Sequence, residues 1–246
     1  MLFVGRSPVA TVTTISEPTV LLSVDVSETP PPVAGLSELL APLSVVVLGY
    51  HPVPDQAVPA QTKRDHGDEA ASRLDEVAAA VPDGRTVTTT LVFTHDRDET
   101  VDRLADGRDC TAVATPGAAD ATVERLLVAL RGETNLDQIC SFVADLLADD
   151  AVAVTLAHAH EGDTEGGQRL LGAAADRLAA AGLDPGRVDR RLLDGDPNGA
   201  VAAAADDADA LVIGETKPSL RERILGATPT RIDEAVDVPV LVVRRS

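Results

Sequence analysis

The chain has 246 residues, 44% hydrophobic and 25% charged, an ordinary globular balance that excludes a solvated low-complexity chain and a fibre. At about 100 to 200 residues per domain, this length gives one large domain or two small ones. Its 40 acids against 21 bases leave a formal charge of -19, which repels phosphate backbones and anionic lipid surfaces and so excludes nucleic acid and membrane as partners.

In chain order, short β-branched and leucine runs alternate with longer alanine-rich stretches of helical period, the pattern of β-α-β units around a parallel sheet. Val20 to Asp25, Ser44 to Gly49, Thr86 to Phe93 and Cys110 to Ala114 are predicted strands. Val33 to Leu40, Asp65 to Ala80 and Glu99 to Ala105 are the helices between them; Ala70, Leu74, Val77 and Val81 line one face of the second. The cycle then repeats. Leu126 to Leu130, Ala151 to Ala157, Val188 to Leu193 and Ala210 to Gly214 are strands, with helices over Leu136 to Leu147, Gly167 to Ala181 and Asn198 to Ala205.

Equivalent strands are offset by about 100 residues, which reads as a tandem duplication. Only the second copy continues, into a helix over Ser219 to Ala235 and an apolar closing strand over Val238 to Arg244. The expected organisation is an extension over residues 1–18, an incomplete first domain over 19–122 and a second domain over 123–246. A sheet lacking its fifth strand has an open edge, so the halves are expected to pack on each other.

All but two of the bases are arginine, the exceptions being Lys63 and Lys217, and aromatic residues make up only 2%. A surface of short acids stays hydrated in concentrated salt, where a Debye length of about 3 Å at 1 M removes self-repulsion, so the composition points to a halophile. Cys110 and Cys140 fall in apolar elements, which excludes a disulfide scaffold and leaves open a single buried bridge. No run reaches the roughly 18 apolar residues of a membrane helix, and the first twelve residues resemble neither signal nor anchor. A soluble cytoplasmic protein is expected.

Ligands of open parallel sheets bind outside the carboxyl ends of the strands. There stand Ser23-Val-Asp25-Val-Ser27 in the first copy and the segment from Gly214 to Thr228 in the second. The latter, followed by Arg231 to Arg244, resembles the end of the universal stress protein (UspA) family, and with the duplicated pattern the resemblance covers nearly the whole chain. It implies an open parallel α/β sheet with helices on both faces, of the adenine nucleotide alpha hydrolase-like kind. Nucleotide-binding members of that family have a strand-end aspartate at the adenine end. Their phosphate loop is G-x-x-G, nine residues, then G-S or G-T, its amides cradling phosphates.

This chain matches that pattern in part. Gly214 holds the first glycine place, Lys217 stands at the second, Gly226 closes the segment, and Ala227-Thr228 stands at the final pair. Arg131 falls at or next to the aspartate place in the second copy, while Asp25 keeps it in the first, which has lost the loop. Neither copy has a full site, so no cofactor is assigned and ATP stays open through Lys217 as a point charge; the alternative reading has Gly214 making a tight strand-to-loop turn. His158 is placed by the resemblance on the crevice. His158 and His160 share a strand face where two imidazoles could bind a metal, but with no third ligand evident no metal is assigned.

No G-x-S-x-G elbow, H-E-x-x-H helix or P-loop is present, and no catalytic residue is expected. Asp194 and Asp196 read as turn residues, with Asn198 as a helix N-cap. The closing strand Val238 to Val243 resembles the edge through which stress-protein domains pair, implying a homodimer or an intramolecular domain pair. The expected role is non-catalytic binding or regulation in a stress response. An ATP-binding, slowly hydrolysing switch and a regulatory partner of a membrane transporter are the alternatives.

Overall fold

A computed structural model describes residues 18–82, 87–118, 122–148, 152–160, 162–215 and 236–245. Nine strands form one sheet: β1 (Thr19–Asp25), β2 (Ser44–Pro52), β3 (Val87–Thr94), β4 (Ala112–Thr115), β5 (Arg125–Ala129), β6 (Ala153–His160), β7 (Val188–Asp194), β8 (Ala210–Gly214) and β9 (Val240–Val243). Among the described residues six α-helices accompany them: α1 (Ala34–Leu40), α2 (Pro59–Ala79), α3 (Arg97–Gly107), α4 (Leu136–Leu146), α5 (Thr164–Ala180) and α6 (Pro197–Ala205). None of the described helices is long and apolar enough to cross a membrane. The expected helix over Ser219 to Ala235 lies outside the described residues.

The strand order is β3-β2-β1-β4-β9-β8-β5-β6-β7. Within β1 to β4 every pairing is parallel, and so is every pairing within β5 to β9. Only β4 and β9 run antiparallel, with Ala112 opposite Val243 and Thr115 opposite Val240. The two halves therefore point their strands in opposite directions. β9 fills the place beside β4 that the first half leaves empty, and both its edges are used, by β8 and by β4. Of the two pairings expected through Val238 to Val243, the intramolecular one is formed, and the homodimer through that strand is corrected because no edge of β9 is left.

Sheets covered on both faces need strands that are apolar throughout, which explains the unbroken runs of β1, β2, β5, β8 and β9. α1, α2, α4 and α5 cover one face and build a core that runs without a break across the seam. Leu241 and Val243 of β9 and Ala112 and Ala114 of β4 join it there. In α4 the buried positions Leu136, Ile139, Cys140, Val143 and Leu146 recur at helical spacing. α3 covers the other face of the first half and α6 that of the second, each over a smaller core.

Boundaries shift where capping overrides periodicity. α2 begins at Pro59, six residues before the expected start, because proline suits the first helical turn although the residues after it are polar. α3 starts at Arg97, where Asp96 caps it by accepting from the Glu99 N–H at 2.9 Å. Asp196, not Asn198, caps α6, accepting from the Gly199 N–H at 2.8 Å with Pro197 following it.

Cys110 and Cys140 are free, buried thiols, and the bridge left open by the sequence is not formed. Burial pushes the Cys140 thiol from 9.0 to about 11, Arg177 opposing it. The thiol thus ionises in the unfolded chain first, so its contribution to stability is complete below pH 9.0 and is lost as pH rises toward about 11. Across that window wild type should lose about 2–3 kcal/mol more unfolding free energy than Cys140→Ala, measured by urea unfolding at both ends.

Candidate functional site

Opposed strand directions put the carboxyl ends of the two halves at opposite ends of the sheet. At the first-half end, Asp25 closes β1 and its Oδ1 accepts from the Ser27 N–H at 2.8 Å and the Ser27 hydroxyl at 2.7 Å. Arg73 of α2 donates to the Val26 and Ser27 carbonyls at 3.1 and 2.7 Å, fixing that turn. Beside it the His51 ring stacks on Phe93 at 4.9 Å and on His66 at 5.5 Å, so this end carries its own rings.

At the second-half end a cleft of about 380 Å³ opens between the ends of β5, β6 and β8 and the heads of α4 and α6. Leu130, Ile139, Val201 and Ile213 give it an apolar floor; Arg131, Thr134 and His158 supply polar groups. Asp25 is not among its lining residues, so the structure brings together Arg131, His158 and Gly214 of the sequence candidates and leaves Asp25 in the other half. Lys217, Gly226, Ala227 and Thr228 lie outside the described residues.

Each cleft residue is held by a traceable contact. The Leu130 N–H donates to the Ala157 carbonyl at 2.8 Å, carrying the β5 pairing one step further. His158 Nδ1–H donates back to the Leu130 carbonyl at 2.7 Å, which fixes the tautomer with the lone pair on Nε2, and the Nε2 edge of the ring packs near Gly167 of α5. Arg131, exposed at the rim, donates from Nη2 to Asn198 Oδ1 in the first turn of α6. Burial of its guanidinium against the wall holds it below the ordinary arginine range, Asp196 acting the other way. Asn135 donates to the Glu215 carbonyl and ties the approach to α4 to the end of β8.

Gly214 has a reason other than a turn. It ends β8 in register, pairing with Val243, and a Cβ built there would lie 2.5 Å from Ile139 Cδ1. A side chain there would have to push the Ile139 tip aside, so the glycine lets α4 pack closely on the strand end. His160 accepts from the Gly162 N–H at Nδ1, 3.1 Å, and meets Asp194 Oδ1 from Nε2 at 3.1 Å. Both its ring nitrogens are engaged, and among the described residues no group of three or more His, Cys, Asp or Glu is placed to hold a metal.

At the opposite end of these strands from the cleft, the starts of β5 and β8 are locked together. Asp209, just before β8, accepts from the Glu124 and Arg125 N–H groups at 3.1 and 2.8 Å and pairs with the Arg125 guanidinium at 2.8 Å. Burial works against its ionisation, but these bonds win and hold the carboxyl below its usual range.

An apolar floor with a few convergent polar groups lies outside the carboxyl ends of parallel strands, where open α/β sheets take their ligands. Residues 122–244 match the sequence profile described as the universal stress protein family, and the chain belongs to that family. A universal stress protein from Archaeoglobus fulgidus DSM 4304 is similar in structure, with TM-score 0.63 at 16% identity, over 93% of this chain and 98% of that one. A functionally unknown protein from Pseudomonas aeruginosa PAO1 is similar at TM-score 0.52 and 15% identity, over 93% of each chain. At such identities the likeness is one of fold, and it extends to nearly the whole sheet. No curated protein sequence matches the chain.

Proposed function

We propose that this chain is a tandem universal stress protein of a halophile, acting in the cytoplasm as a non-catalytic, ligand-responsive regulator. The observation that carries the reading is the cleft of about 380 Å³ at the strand ends of the half that matches the family. The repeated order β3-β2-β1-β4 and β7-β6-β5-β8 supports the duplication, with β9 serving both halves. The excess of acids over bases supports the salt-adapted setting. Membership of the family supports a role in stress, and the fold alone does not fix the ligand.

ATP is the first ligand to try, because Gly214 holds the first glycine place of the family's phosphate loop and Lys217, in place of the second glycine, sets a cationic point charge there. Thermal unfolding in molar salt with and without ATP is the test, since a ligand at about 100 times its dissociation constant stabilises the native state by about 2.7 kcal/mol. A rise in midpoint abolished by Lys217→Ala supports a nucleotide-responsive regulator. No rise at millimolar ATP directs the reading to another ligand or a protein partner. Steady phosphate release from ATP that Lys217→Ala removes would overturn the non-catalytic role.

A further inference from the structure

We propose that the second-half cleft takes a small aliphatic carboxylate, its charge on the Arg131 guanidinium and its chain on the floor of Leu130, Ile139, Val201 and Ile213. The proposal rests on the reading of this cleft as a ligand site and adds the class of ligand. Arg131 lacks the acidic partner that several other arginines have. Arg73, Arg125, Arg177 and Arg244 pair with Glu69, Asp209, Asp137 and Asp106. Among the described residues no carboxylate lies within ion-pair distance of Arg131, whose bond goes to the neutral Asn198 amide oxygen. Asp196, the acid that acts on it at longer range, has Oδ2 engaged by the Gly199 N–H at the head of α6.

A guanidinium left to a neutral partner beside a cavity, in a chain of formal charge -19, is a local exception to the molecular field. A carboxylate fits it better than the amide does, since two oxygens meet the planar fork with two charge-assisted hydrogen bonds. The Thr134 hydroxyl lines the same cleft and offers a further donor to an anion. The floor selects the rest of the ligand. Among the described residues no Phe, Tyr or Trp lines the cleft, while Leu130, Ile139, Val201 and Ile213 offer an alkyl chain aliphatic side chains to lie on.

Calorimetric titration of the full chain with hexanoate and with its uncharged amide, hexanamide, in molar potassium chloride tests this. Hexanoate should bind saturably and at least tenfold more tightly than hexanamide. Arg131→Gln should erase that preference, and Arg131→Lys, which keeps the charge and loses the fork, should restore part of it. Binding of each variant is read well below its own thermal midpoint, so that a change in stability is not taken for a change in affinity. Equal binding of acid and amide, or hexanoate binding unchanged in Arg131→Gln, overturns the anion site while leaving the cleft a ligand site. No saturable binding of either compound also overturns it, and an ATP-induced rise in midpoint would then keep the broader reading standing.

Discussion

Gly117→Ala should cost about 3 kcal/mol or more of unfolding free energy, far above an ordinary surface substitution. Gly117 follows β4 and runs against the segment leading into β9. A Cβ there would lie 2.4 Å from the Asp237 carbonyl oxygen and 2.6 Å from the Pro239 nitrogen. These are backbone atoms fixed on both sides: the Ala118 N–H donates to the Asp237 carbonyl at 2.7 Å, and the Pro239 carbonyl accepts from the Leu211 N–H at 2.9 Å. No side chain can turn aside to relieve the clash, so the antiparallel seam itself must open. Gly107→Ala is the control, since a Cβ there meets nothing within 4 Å, and its effect should stay at about 1 kcal/mol or less. Urea midpoints of the two variants measured side by side decide the matter; equal midpoints would mean that the seam yields at no cost.

Leu241→Ala should remove about 2–5 kcal/mol, the range for deleting a fully buried leucine, and should do so for both halves at once. Leu241 is 0% exposed, pairs with Val212 on one side and Ala114 on the other, and belongs to the core that spans the sheet. Tyr50 is the only tyrosine and the chain has no tryptophan, so its fluorescence reports on β2 in the first half alone. The Tyr50 transition and the far-ultraviolet transition should coincide in wild type and shift together in Leu241→Ala. A Tyr50 transition left at its wild-type midpoint would show that the first half stands independently of β9.

The central strands were legible because β1, β2, β5, β8 and β9 are apolar runs that a doubly covered sheet requires, and the edge strands β3 and β7, more polar, because the spacing repeats through the chain. α4 was legible for a related reason, its buried positions recurring at helical spacing. The need of the first half for a neighbour followed from its missing fifth strand, but the antiparallel seam did not, since opposite pairing directions impose the same apolar pattern on β9. In the cleft, His158 and Gly214 could be placed because they end strands. The partner of Arg131 could not, as Asn198 lies 67 residues away and reaches it only once α6 is packed. Asn198 also shows how neighbouring cap residues compete: Asp196 followed by Pro197 is the better start, which turned Asn198 from a cap into the acceptor for Arg131. Ile139 opposite Gly214 is a packing relation between distant segments, and nothing local to either residue announces it.

The seam also sets a clock for synthesis. Thr115 waits for Val240, so roughly 125 residues must be made after β4 before its free edge is covered. At about 5–20 residues per second that is roughly 6–25 s, far longer than a hairpin takes to form. For that interval the nascent first half carries an unpaired, apolar strand of four residues, short enough to limit wrong pairing yet dependent on chaperones or speed. Translation rate, rather than sequence alone, thus bears on how much of this protein reaches its nine-stranded form.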